Sequence, residues 1–259
     1  MSDAQKIVAV IGCSKGLGAA MVRRLLQNHP TCWVLGVART APEAIPDYTT
    51  WVATGRFRYL CGDIGNRNLV PILQRELANI PGKHLTVIFN AANTVQDVNV
   101  DRRIDFNTFH QVNCVGVDGL GNLLEGIQER LLTSGGTLAG ISSINALKPP
   151  VVEMRLAYGP SKAYLDMTLR VLAQMWREQV HVITIHLGRI EGSPGQGHYL
   201  LRKPSYSDAA MYLLNIILRP NPPTEVTYPL PYRIFYRWIF PVLPDRWYFR
   251  IMHQFFSSS

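Results

Sequence analysis

Tyr158 and Lys162, in Ala157-Tyr158-Gly159-Pro160-Ser161-Lys162, are the residues whose types and spacing first suggest chemistry. Four apart on a helix, a phenol and an ammonium share one face, one turn from each other. An ammonium beside a phenol favours the phenolate and is expected to lower the tyrosine pKa towards working pH. Tyr158 is thereby a candidate proton donor to a carbonyl oxygen. The same pair could be an ordinary solvated helix face. What sets it apart is its company: Ser142-Ser143 shortly upstream and a glycine-rich turn near the start of the chain.

That turn is Gly12-Cys13-Ser14-Lys15-Gly16-Leu17-Gly18, directly after the apolar run Lys6 to Ile11. Glycines there permit a tight turn and let a pyrophosphate approach backbone amides at a helix N-terminus. Arg39 ends the second predicted strand, where dinucleotide folds choose between a ribose hydroxyl and a ribose phosphate. An acid there would accept hydrogen bonds from the hydroxyl, whereas arginine offers a planar fork to a 2′-phosphate. With Lys15 close by, the reading is NADP rather than NAD.

Positioning these groups requires a regular scaffold, and the hydropathy pattern supplies one. Apolar strands are predicted at 6–11, 32–38, 57–61, 85–89, 136–141 and 180–187, with a last short one at 225–228. Helical patterns lie between them, at 16–28, 66–79, 106–132, around Tyr158 and at 207–219. Continuous apolar strands alternating with amphipathic helices predict an α/β fold: one Rossmann-like, doubly wound parallel sheet with helices on both faces. The expected division is a dinucleotide-binding and catalytic domain over 1–230 and a short helical extension over 231–259 that is not an independent domain.

Composition narrows the function classes. An apolar fraction of 47% is ample for a core. Cys13, Cys32, Cys61 and Cys114 have no zinc-ligand or Cys-x-x-Cys spacing, so no metal is expected and the thiols read as reduced and cytoplasmic. The N-terminus lacks a signal-peptide pattern, and no apolar run reaches the roughly eighteen residues of a spanning helix. The net charge of +8 suits nucleic acid, a phosphorylated cofactor or an anionic membrane. No basic run interleaved with stacking aromatics supports nucleic acid.

With Gly12, Gly16 and Gly18, Asp63, Asn90-Ala91-Ala92, Asn113, Ser143 and Tyr158-x3-Lys162 in order, the chain resembles the short-chain dehydrogenase/reductase family over about residues 6 to 192. The resemblance implies a catalytic set of Asn113, Ser143, Tyr158 and Lys162. Asn113 would hold a relay water and Ser143 would orient the substrate carbonyl. Tyr158 would pass the proton, while Lys162 would bind the nicotinamide ribose and lower the tyrosine pKa. The implied cofactor-binding set is Gly12, Ser14, Lys15, Gly16, Leu17, Gly18, Arg39, Asp63, Ile64, Asn90, Ala91, Ala92, Tyr158, Lys162, Gly188 and Ile190. In it Asp63 contacts the adenine and the Ile190 backbone the carboxamide. Asp63 could instead be a strand-end cap, Asn113 a helix-bending residue and Asn90 a backbone support. The chain departs from the family pattern at Ile11 (threonine), Asn93 (glycine), Leu187 (proline) and Gly192 (threonine), and an enlarged loop is expected over Lys148-Pro149-Pro150.

Only 191–206 is available for the loop that usually precedes the next helix, so the cleft is expected to be open and the tail to complete it. The tail offers Tyr232, Phe235, Tyr236, Trp238, Ile239 and Phe240 beside Arg233 and Arg237. It could pack on the body, meet a second subunit or lie at a bilayer interface. The expected activity is NADP(H)-dependent carbonyl reduction, or the reverse alcohol oxidation, on a lipophilic ketone or aldehyde, in a homodimer or homotetramer. The alternatives are an NADP-binding sensor without turnover and an epimerase or dehydratase on the same scaffold.

Overall fold

In the computed structural model, residues 6–149, 155–193 and 203–256 are described, with side chains to Met252. The strands β1 (Lys6–Ile11), β2 (Cys32–Ala38), β3 (Phe57–Cys61), β4 (His84–Phe89), β5 (Thr137–Ser143), β6 (His181–Leu187) and β7 (Glu225–Tyr228) form one sheet in the order β3-β2-β1-β4-β5-β6-β7. Every pairing is parallel. This is the doubly wound sheet expected from the sequence. The order reverses between β1 and β4, and ligands of such sheets bind outside the strand C-termini at that switch point.

The helices are α1 (Gly16–Asn28), α2 (Tyr48–Ala53), α3 (Val70–Ala78), α4 (Phe106–Asn113), α5 (Gly119–Ser134), α6 (Tyr158–Met175), α7 (Tyr206–Ile217), α8 (Pro231–Arg233) and α9 (Asp245–Phe256). Alternation along β1 divides the core. Val8 and Val10 face Met21 and Leu25 of α1 and Leu213 of α7, whereas Ile7, Ala9 and Ile11 face Leu73 of α3, Leu120 of α5 and Leu165 of α6. Each such fully buried Val, Ile, Leu or Met side chain contributes about 1.5–3 kcal/mol of apolar burial.

Two helical readings are revised. The expected helix at 66–79 begins as a 3-10 turn at Arg67–Leu69, capped by the Asn66 side chain, and becomes α-helical only at Val70, with Pro71 in the first turn. The long helix at 106–134 widens into a π-turn at Cys114–Asp118, immediately after Asn113. After β7 the tail runs through α8, a π-turn at Ile234–Ile239 and a 3-10 turn at Phe240–Val242 into α9, broken near Pro241 and Pro244 as expected. Pro150 of the expected enlarged loop, and most of the 191–206 segment, lie outside the described residues.

Candidate active site

β5 ends on Ser142-Ser143, both buried, and α6 opens on Tyr158. The Ser142 hydroxyl donates to the Lys162 carbonyl at 3.2 Å, which ties the strand to the helix. The Ser143 hydroxyl accepts from the Asn145 amide at 3.2 Å and lies near enough to the Tyr158 phenol to favour its ionised form. The serine that meets the phenol is therefore the second of the pair. Lys162, 4% exposed, lies under the ring with Nζ 6.0 Å from its centroid.

The expected electrostatics are corrected here. Burial raises the Tyr158 phenol above its ordinary value, against a downward pull from the neighbouring Ser143 hydroxyl and the Arg155 charge. Burial also pushes Lys162 down, to about 8. The reason is directional: Nζ donates to the Ile141 carbonyl at 2.8 Å and sits against the ring rather than at its oxygen.

One support had no signature in the sequence. Asp97 is 1% exposed, and its two carboxylate oxygens accept from the amides of Leu156 and Ala157, each at 2.7 Å. These amides precede the first turn of α6, so Asp97 fixes the approach to Tyr158 from a loop far away in the chain. Asn113 is half-buried at the start of the π-turn. Within that turn Gly116 lies so close to α6 that a Cβ would stand 2.8 Å from the Ser161 Cβ. The widened turn thus packs against the helix that carries Tyr158 and Lys162.

At the switch point the glycine turn is held by backbone. Gly12 has φ +86°, its amide donates to Val37 O at 2.7 Å, and its carbonyl accepts from Asn90 Nδ2 at 2.9 Å. Asn90 thus acts as a support for the turn. A Cβ on Gly12 would lie 2.7 Å from the Ala91 Cα, and one on Gly18 would collide with the Gly12 carbonyl. Ser14 accepts from Thr40 Oγ1 at 2.9 Å, joining the turns after β1 and β2. Leu17 is buried, and Lys15, at the N-cap of α1, makes no side-chain cap, leaving the first amides of the helix without a side-chain partner there.

Arg39 and Asp63 stand together at the ends of β2 and β3, with Arg39 Nη1 3.6 Å from Asp63 Oδ2. Asp63 Oδ1 accepts from the Gly65 amide at 2.9 Å, which is the strand-end cap reading, and Ile64 is fixed through its carbonyl by Asn122 at 2.8 Å. Ala92 is exposed beside them. Past β6, the Gly188 amide donates to Tyr228 O at 2.7 Å. Both backbone groups of Ile190 are taken by Ser193, its amide by the hydroxyl at 3.0 Å and its carbonyl by the amide at 3.0 Å. The contact expected from Ile190 to a carboxamide would have to displace Ser193.

Tyr206 lies outside the residues that the sequence pattern marks. Its ring lies 3.3 Å from where a Cβ on Gly16 would be, and its hydroxyl occupies the space of a Cβ on Gly192. Gly192 has φ +70°, a second reason for glycine at a place where threonine was expected. The first residue of α7 therefore bridges the glycine turn and the segment after β6. The clue was the missing threonine, but its replacement lies too far along the chain to be paired with it by sequence.

The family model described as short chain dehydrogenase matches residues 6–199. The chain belongs to the short-chain dehydrogenase/reductase family, whose members are oxidoreductases. It is 25% identical over 202 residues, 72% of each chain, to a benzil reductase forming (S)-benzoin from Saccharomyces cerevisiae. Its fold is similar to that of a Burkholderia cenocepacia short chain dehydrogenase solved in complex with NADP, with TM-score 0.73, 20% identity and 98% of each chain covered. RhlG from Pseudomonas aeruginosa, solved as an NADP active-site complex, aligns with TM-score 0.62 at 25% identity, covering 72% of this chain and 73% of that one.

As a short-chain dehydrogenase/reductase, the chain presents groups that fit a phosphorylated dinucleotide. The close glycine approaches leave backbone free for a pyrophosphate at α1, and Arg39 offers a guanidinium at the strand end where a ribose phosphate would lie. The tail begins at the other end of this site: a Cβ on Gly188 would stand 2.7 Å from the Tyr232 ring.

Proposed function

We propose that the protein is an NADP(H)-dependent carbonyl reductase acting on a lipophilic ketone or aldehyde, or the corresponding alcohol dehydrogenase in reverse. Bound NADPH supplies hydride to the carbonyl carbon. In this reading Ser143 holds the carbonyl oxygen and stabilises charge developing on it, while Tyr158 delivers the proton to that oxygen. Lys162 holds the nicotinamide ribose and Asn113 a water of the proton path. Arg39 and Lys15 take the 2′-phosphate, and the Tyr206 hydroxyl serves the bridging phosphates in place of the threonine absent at Gly192. The observation that carries this reading is the convergence of Ser143, at the end of β5, with Tyr158 at the head of α6, and Lys162 buried beneath the phenol ring.

A lipophilic substrate is favoured by the aromatic tail at Gly188 and by the relative named for benzil, an aromatic diketone. A dimer or tetramer is favoured by the exposed apolar stripe Tyr164, Met167, Val171 and Met175 along α6. Light scattering of Met167→Glu against wild type tests that point, an unchanged mass opposing it. A cytoplasmic setting accords with four free cysteines. The activity is tested by following NADPH consumption with a panel of carbonyl compounds that includes benzil. Consumption with one or more of them supports the reading, whereas tight NADPH binding with no turnover would indicate a sensor instead.

A further inference from the structure

The tail has one face committed to the body. Tyr232, Tyr236, Phe240 and Tyr248 form a ladder of rings with successive centroids 6.0, 5.0 and 5.1 Å apart. Tyr236 and Tyr248 are buried, and the Tyr248 hydroxyl donates to Pro149 O at 3.2 Å. Arg237 pairs with Glu225 of β7 at 2.8 Å, and Lys148 bridges Asp245 at 2.6 Å and Leu243 O at 3.1 Å. These ties fix the orientation of the segment and hence what it turns outward.

Outward it turns Ile234, Phe235, Trp238, Val242 and Trp247, of which Trp238 is 66% and Val242 78% exposed. Single exposed apolar residues need no explanation, but a run of this kind on one short segment does. The charge around it is of one sign. Asp245 is the only acid between Pro229 and Met252, and it is taken by Lys148. Arg233, Arg246 and Arg250 are exposed, and among the described residues none has a carboxylate partner. Tryptophan and arginine beside an apolar face match the depth profile of a bilayer surface, with rings at the headgroup boundary and guanidinium groups at the phosphates. The same face of a second copy matches it poorly, because two-fold pairing would bring arginines against arginines. Among the described residues no helix is long and apolar enough to cross a membrane, so the contact lies on the surface.

We propose that the exposed side chains of Ile234, Phe235, Trp238, Val242 and Trp247, together with the exposed Arg233, Arg246 and Arg250, dock the protein on an anionic lipid bilayer. The docking does not depend on the proposed reaction. If both hold, the tail that packs on Gly188 sets the substrate end of the site beside the lipid, where a lipophilic carbonyl compound concentrates.

Flotation of the full chain with vesicles of phosphatidylcholine and phosphatidylserine, compared with phosphatidylcholine alone, tests the proposal. Binding is expected to the mixed vesicles and to weaken as salt is raised. The triple variant Arg233→Glu, Arg246→Glu, Arg250→Glu is expected to lower affinity at least about tenfold. The double variant Trp238→Ser, Trp247→Ser is expected to do likewise, with oligomer mass and melting temperature unchanged in both. Because these arginines make no ion pairs among the described residues, the charge variant remains informative if the tryptophan variant is unstable. No binding to the mixed vesicles, or binding that neither variant alters, overturns the proposal. So does a change of oligomer mass in the tryptophan variant, which would make this face a subunit contact.

Discussion

Lys162 meets Tyr158 on the face of its ring: Nζ stands 6.0 Å from the centroid and gives a hydrogen bond to the Ile141 carbonyl. The amine is thereby buried with a strand carbonyl as its partner, and its pKa is pushed down to about 8. The folded value lies below the ordinary 10.5, so between these values the folded chain holds fewer protons than the unfolded one, and stability gains as pH rises through that window. A dinucleotide that draws on the ammonium reverses this at the site and takes up a proton on binding. Calorimetry of NADP binding at about pH 8–9, in buffers of different ionisation enthalpy, should give a buffer-dependent heat. In Lys162→Met that dependence should vanish. A heat independent of buffer in wild type would separate Lys162 from the cofactor.

Removal of the phenol hydroxyl tests the proton donor. Tyr158→Phe should keep NADPH affinity within about threefold and lose turnover by at least ~10²-fold. Ser143→Ala should also lose turnover by about 10²-fold, the scale of a lost oxyanion donor. Steady-state rates with fluorescence titration of NADPH check both, and full turnover in either variant would remove that residue from the reaction.

Anchoring of the cofactor divides between two side chains. Arg39→Ala should weaken NADP binding by about 10–100-fold, the value of charge-assisted hydrogen bonds to phosphate, and leave NAD binding nearly unchanged. Tyr206→Phe keeps the ring between Gly16 and Gly192 and should weaken both cofactors alike, by about tenfold. Equal loss of NAD and NADP in Arg39→Ala would mean that Arg39 serves Asp63 rather than a phosphate.

A buried polar chain behind the site governs stability against pH. His186, 1% exposed, has Nε2 2.6 Å from Asp166 of α6 and Nδ1 3.4 Å from Glu225 of β7, which also pairs with Arg237, while Arg170 stands 3.9 Å from Asp166. Burial lowers the His186 pKa, but the hydrogen bond to Asp166 and the nearby Glu225 carboxylate outweigh that and hold it above its ordinary 6.5. Its pairing energy is thus fully present below that pH and lost as pH rises through the folded value. The Glu225 carboxyl is held below its ordinary 4.5, chiefly by His186, so its contribution is present above that pH and lost as the pH falls through its folded value. Melting temperature should peak between these limits and decline as His186 loses its proton, until the opposite contribution of Lys162 sets in above about pH 8. Asp166→Asn should flatten that decline and cost about 3 kcal/mol near the peak, as expected when one partner of a buried pair is removed. A wild-type profile without this decline would argue against a charged His186.

The sequence made the scaffold legible because parallel strands buried on both faces read as unbroken apolar runs. It made Tyr158, Lys162 and the glycine turn legible because their geometry is local, set by helix pitch and by close backbone approach. What it could not convey was direction and distance. The spacing of Tyr158 and Lys162 gave a shared face, but not that Nζ turns to Ile141. Arg39 read as free until the parallel register of β2 and β3 set it beside Asp63. Asp97, Tyr206 and the His186 chain join residues far apart in sequence, and no periodicity reports such pairings.

The central claim is that this site moves a hydride to a carbonyl carbon while Tyr158 protonates the oxygen. The most direct measurement is mass spectrometry of the alcohol formed from benzil, or from whichever carbonyl compound turns over, with NADPH deuterated at the transferred position of the nicotinamide. The account predicts one deuterium on the new carbinol carbon with wild type and at most a trace of product with Tyr158→Phe. Alcohol formed without deuterium at that carbon, or equal product from the variant, would contradict it.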